Sequence, residues 1–189
     1  MSQQATETRE TAGDAAGTGT IYQDDIVRSS SARFILAFGR IALGWYFIWA
    51  FMDKLFGLGY ATPAERAWLN GGKPAQGFMA NAEGPFAGIF HWMAQTFGTF
   101  NDVLFMLGLF GLGVALLTGC GLRIAAVTGG ILLTCMWLAT FPAAGDTNPF
   151  MTSHWMEISV LLAAAFTLAG DTLGLGRWWG GKVGNSWLR

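Results

Sequence analysis

Arg33–Phe56, RFILAFGRIALGWYFIWAFMDKLF, is the stretch whose reading decides the fold. From Phe34 to Met52 it runs nineteen residues with one charge, Arg40. At about 1.5 Å per residue, such a helix comes close to crossing the roughly 30 Å of bilayer hydrocarbon. An arginine inside the span costs at least about 2.5–3.5 kcal/mol unless it meets a partner or a wet cavity. The span closes on Asp53 and Lys54. Arg40 and Lys54 lie fourteen residues apart, about 21 Å along the axis and roughly 40° apart around it. Arg40, Gly44, Phe47, Phe51 and Lys54 therefore share one face with a cation at each end.

The composition agrees with a membrane chain. Of 189 residues, 52% are apolar and only 12% charged, and glycine is abundant, a profile of polytopic membrane proteins. A net charge of −1 gives no ground for a nucleic-acid partner. Cys120 and Cys135 are fifteen residues apart; along a helix that is roughly 20 Å, too far for a disulfide. They read as small packing residues. No zinc, haem, dinucleotide or P-loop pattern occurs, so no metal site is expected.

Taken in order, residues 1–30 are polar and read as a disordered cytoplasmic tail, without the layout of a signal peptide. Residues 57–99 form one long connection, with short helices expected at Pro63–Asn70 and Pro85–Thr96. Val103–Leu122 reads as the second span, Ile124–Phe141 as the third and Trp155–Gly170 as the fourth. Gly111, Ala115 and Gly119 form a small-residue stripe suited to close helix packing. Residues 181–189 read as a second cytoplasmic tail. Outside Arg40, seven of the basic residues fall in the N-terminal tail, the 119–123 turn and the C-terminal tail, against three in the long loop. The positive-inside rule then puts both termini in the cytoplasm of a multi-pass cell-membrane protein. The expected architecture is an all-α, four-helix antiparallel membrane bundle over residues 31–180, with a long extracytoplasmic loop that carries short helices.

The fourth span carries two acids, Glu157 and Asp171, again fourteen residues apart. If it runs antiparallel beside the first, Glu157 meets Lys54 near the outer surface and Asp171 meets Arg40 near the inner one. Each pair is either a structural clamp on buried charge or part of a ligand or proton site. At the outer end His154, Glu157, Asp53 and Lys54 would converge, walled by Trp49, Trp137 and Trp155. There Lys54 or His154 could donate to a carbonyl, and Glu157 could relay protons.

The first span resembles that of the DoxX/DoxD family of small four-helix membrane proteins. The residues that carry the likeness are Arg40-Ile-Ala-Leu-Gly44-Trp-Tyr-Phe-Ile-Trp49-Ala-Phe-Met-Asp53-Lys54-Leu55. In that family an Arg is followed by a Gly four residues on, an aromatic-rich stretch and a closing Lys-Leu. Gly119-Cys-Gly-Leu-Arg-Ile-Ala-Ala, Asn148-Pro-Phe-Met and Gly170-Asp-Thr-Leu-Gly-Leu-Gly-Arg177 add to it. The likeness covers about residues 30–180 and is strongest to the DoxD-like subunit branch of thiosulfate:quinone oxidoreductase. It implies a membrane subunit that passes electrons from thiosulfate to a quinone, working with a second polypeptide. On this reading Glu157 and His154 are the catalytic candidates, with Lys54, Asp53, Trp49 and Trp155 around the quinone and Arg40–Asp171 as a structural charge pair. The rival reading is a non-catalytic scaffold that recruits soluble redox or sulfur-metabolism proteins to the bilayer. Homo-oligomers are compatible with either.

Overall fold

A computed structural model of the chain describes residues 19–142, 148 and 150–189. Within them every regular element is helical: α1 (Gln23–Ile26), α2 (Ser30–Phe56), α3 (Pro74–Ala80), α4 (Ala87–Phe97), α5 (Thr99–Thr118), α6 (Leu122–Thr140), α7 (Ser153–Phe166) and α8 (Gly176–Val183). Short 3-10 turns occupy Ala64–Arg66, Trp68–Asn70 and Ala169–Asp171. The expectation of disorder for residues 1–18 lies outside the described residues, as does most of the loop before α7.

Three helices, α2, α5 and α6, are long and apolar enough to cross a membrane. The first expected span grows at both ends. Ser29 caps its start, accepting a hydrogen bond from Ala32 N–H at 3.4 Å. Gly57 ends it at φ +67°, with its N–H on Asp53 O, the left-handed stop that favours glycine. α2 packs against α5 and α7, and α6 against the same two helices. Leu43, Phe47, Met106, Leu116, Leu133 and Leu161 form the shared core. Away from it, Ile35 and Phe38 are 70% and 72% exposed, an apolar outer face suited to lipid.

The small-residue stripe marks one close approach and misses others: Gly119 lies against the Gly170 backbone, where an added Cβ would stand 2.5 Å from Gly170 Cα. Gly111 faces open space, whereas a Cβ on Gly113 would stand 2.4 Å from Ile48. Two residues along a helix is about 200° around it, so the two glycines serve opposite faces. Gly44 does the same work from α2, where a Cβ would lie 3.0 Å from that of Leu116.

The expected Arg40–Asp171 pair does not form. Arg40 is fully buried, and its guanidinium donates to five backbone carbonyls. Nε donates to Ala169 O at 3.2 Å, Nη1 to Leu116 O and to Leu117 O at 3.0 Å, and Nη2 to Thr172 O at 3.3 Å and Leu173 O at 2.8 Å. Leu116 and Leu117 sit in the last turn of α5, where carbonyls have no intrahelical donor and carry the negative end of the helix dipole. The planar five-donor fork of arginine suits this cage. The fourth apolar helix accordingly stops short of its expected end. Leu168 turns left-handed at φ 52°, which swings the Ala169–Leu173 backbone so that its carbonyls face Arg40.

Asp171 is engaged elsewhere. It accepts from Arg189 Nη2 at 2.9 Å and from the backbone N–H of Gln23 at 2.9 Å. Arg189 also donates to Ile21 O, Thr172 Oγ1 to Gln23 Oε1 at 2.6 Å, and Arg123 N–H to Arg189 O at 3.0 Å. The ring of Tyr22 lies under two guanidiniums, 5.0 Å from Arg177 and 5.2 Å from Arg189. Residues 19–30 and 181–189 are thus not loose tails. Asn185 accepts from Ile21 N–H at 2.8 Å and Arg189 donates to Ile21 O, while Gln23 and Asp24, in the segment read as disordered, meet Thr172 and Arg177. The 14-residue spacing of acids and bases carried no information about this partner, because Arg189 lies outside the span being matched.

Candidate functional site

Several of the outer residues have contacts of their own. Asp53 is 2% exposed, and its carboxylate accepts the N–H groups of Tyr60 at 3.2 Å and Ala61 at 3.1 Å, closing the loop after α2. Trp49 packs edge-on against Tyr60, with ring centroids 5.2 Å apart. Trp155 instead meets Trp137, at 5.3 Å and 70°. His154 Nδ1 lies 3.0 Å from Thr152 Oγ1. Glu157 interacts with Ser153, one turn back on its own helix, and lies within electrostatic reach of Tyr46. Among the described residues the ion pairs are Arg177–Asp24 and Arg189–Asp171; Lys54–Glu157 is not one of them. The register of α7 against α2 explains this. In antiparallel helices the contact of Gly39 with Val160 puts Glu157 near the level of Ala42, about twelve residues and about 18 Å short of Lys54. Equal spacing on two helices fixes which pairs could match, not the axial shift between them.

A different site emerges between α5 and α6. The two helices are joined by the tight turn at Gly119–Gly121 and touch at Leu112 and Gly129, where an added Cβ would stand 2.9 Å from Leu112 Cδ2. Beyond that contact they line a half-open cavity of about 410 Å³. Its walls are Leu104, Phe105 and Gly108 from α5, with Ile131, Leu132 and Met136 from α6. Phe78 and Met79 of α3 and Phe90 and Met93 of α4 close the end remote from the turn. Three polar side chains reach it: Asn101, Thr128 and Cys135. From Asn101 to Leu112 the cavity follows α5 for about 16 Å. A volume of 410 Å³ over that length gives a mean section of about 25 Å², room for one hydrocarbon chain.

The roof is fastened by Asp102. This buried carboxylate accepts from the N–H groups of Ala75 at 2.8 Å and Gln76 at 3.0 Å and from Gln76 Nε2 at 2.6 Å. α3 has Lys73 at its N-cap and no side-chain cap of its own, so α5 supplies one across the fold. Next to it, Asn101 Nδ2 donates to Met93 O at 2.8 Å and ties α4 down. The sequence showed Asn101 and Asp102 at the head of the second span, but not that the loop folds back onto them. The one signal was two adjacent polar residues opening an apolar run. Cys135, read as a packing residue, is a free thiol on the cavity wall.

The lining fits a flat or chain-like lipophile. Pockets of this size, largely apolar with a few placed polar groups, are the usual form of small-molecule sites. Methionine adapts its shape to a ligand and its sulfur makes favourable contacts with rings. Among the described residues no cluster of His, Cys, Asp and Glu could hold a metal ion. Compared with known protein families, curated proteins and solved structures, the chain matches none.

Proposed function

We propose that this chain is the membrane subunit of a quinone-linked oxidoreductase and that the α5–α6 cavity, rather than the outer cluster, holds the quinone. In this reading α7 and the Ala169–Asp171 turn make a fourth crossing, the four helices form an antiparallel bundle, and both termini face the cytoplasm of the cell membrane. The observation that carries it is the cavity: one chain wide, lined by Phe and Met, and placed between two helices of membrane-spanning length. The likeness of Arg40–Leu55 to the first DoxX/DoxD helix supplies the reaction class. The electron donor would then be thiosulfate, oxidised on a second subunit. Two thiosulfate ions join as tetrathionate and release two electrons, and the quinone takes these with two protons to become a quinol.

Purification in mild detergent followed by mass spectrometry of extracted lipids and bound proteins tests this. Quinone is expected near one per chain in the native protein, and strongly reduced in Gly108→Leu, which fills the cavity. A Cβ at Gly108 meets only Leu132 Cδ2 at 3.6 Å, and leaving glycine gains roughly 0.5–1 kcal/mol of helix propensity, so the variant should fold. A soluble enzyme retained without any quinone would favour the scaffold reading instead.

A further inference from the structure

The polar groups of the cavity have a direction. The amide of Asn101 is oriented by its neighbour, since Met93 O can be satisfied only by a donor; the nitrogen is therefore committed, at 2.8 Å. Its oxygen accepts from no donor among the described residues, and Asn101 is one of the residues that line the cavity. Thr128 Oγ1 donates to Ile124 O at 2.9 Å, so its proton is also committed while its lone pairs remain. Cys135 offers a thiol, a weak donor, and the methionine sulfurs are weak acceptors. The lining side chains thus present acceptors and no strong donor.

From this we infer that the cavity selects a ring lipid whose head donates a hydrogen bond, so that a hydroquinone binds in preference to the corresponding quinone. This rests on the quinone reading above and goes further by naming the redox form that is held. A quinone carbonyl is an acceptor only; at Asn101 it would face another acceptor, leaving two polar oxygens unpaired in an apolar site. A hydroquinone hydroxyl pairs with Asn101 Oδ1 instead. The apolar tail then lies along Gly108 towards Leu112, and the ring sits against Phe105 and Met93.

Ligands rather than protein variants provide the test, because Asn101 also secures α4. Cys135 lies in the cavity and reports on occupancy; Cys120→Ser removes the other thiol. Alkylation of Cys135 by a maleimide is followed anaerobically in detergent with decylubiquinol, decylubiquinone and the dimethyl ether of the quinol. The quinol should protect Cys135 at about tenfold lower concentration than the quinone, the scale of one well-made hydrogen bond against an unpaired one. The dimethyl ether keeps the reduced ring but cannot donate, and should behave like the quinone. Equal or tighter protection by the quinone would overturn the inference and leave the quinone reading standing. An ether as protective as the quinol would overturn it too, because ring shape rather than donation would then set the preference. No protection by any of the three, with no quinone in the lipid extract, would overturn both.

Discussion

Arg40→Leu separates two accounts of the buried cation. In the structure Arg40 answers to carbonyls, five of them, and not to Asp171. Leucine would leave Leu116 O and Leu117 O at the end of α5 without a donor. At about 1–3 kcal/mol for each buried unpaired group, these two alone give a loss of about 2–6 kcal/mol. Lysine keeps the charge but offers three donors, not in a planar fork, so Arg40→Lys should fall between native and leucine. Loss of folded protein can be followed by tryptophan fluorescence as sodium dodecyl sulfate is titrated into mixed micelles. The decisive variant is Arg40→Leu with Asp171→Leu. If Asp171 answers to Arg189 and Gln23, removing it adds a second injury and the double variant is the least stable of the set. A charge pair would instead leave Asp171 uncompensated in Arg40→Leu, and its removal would restore stability. A double variant more stable than Arg40→Leu alone refutes the carbonyl cage.

Further outcomes follow from the same contacts. Asp102→Ala removes the cap of α3 and should cost about 1–3 kcal/mol, raising hydrogen exchange across 74–80 while α2 stays protected; uniform exchange across both helices would contradict the roof assignment. Glu157→Gln should leave stability nearly unchanged, because Glu157 forms no ion pair with Lys54; a change in melting temperature comparable to that of Arg40→Leu would restore the outer pairing. For topology, single cysteines at Leu69 and Trp187, 66% and 60% exposed, are introduced after Cys120 and Cys135 are replaced. An impermeant thiol reagent on intact cells should label the first and not the second, and the reverse pattern inverts the proposed orientation. Tyr22→Ala removes the ring beneath Arg177 and Arg189 and should make the 19–28 segment more sensitive to protease without altering occupancy of the cavity.

The sequence by itself determined the helical class and three membrane-length helices, because hydropathy and length depend on local composition. It placed the ends of the first two only to within about four residues, and the cap at Ser29 and the left-handed stops at Gly57 and Gly119 are seen in the structure. It showed that Arg40 needed compensation, since burying a charge is costly wherever it sits. What compensates it was decided by tertiary structure. Backbone carbonyls exist at every residue and leave no mark in the letters, so a carboxylate at matched spacing looked like the partner. The axial shift of α7 against α2, marked by the contact of Gly39 with Val160, separates Glu157 from Lys54. The cavity is tertiary as well: it exists because a turn pins α5 to α6 at one end while α3 and α4, held by Asp102 and Asn101, close the other. Space between helices is a property of their arrangement, and no single stretch of chain encodes it.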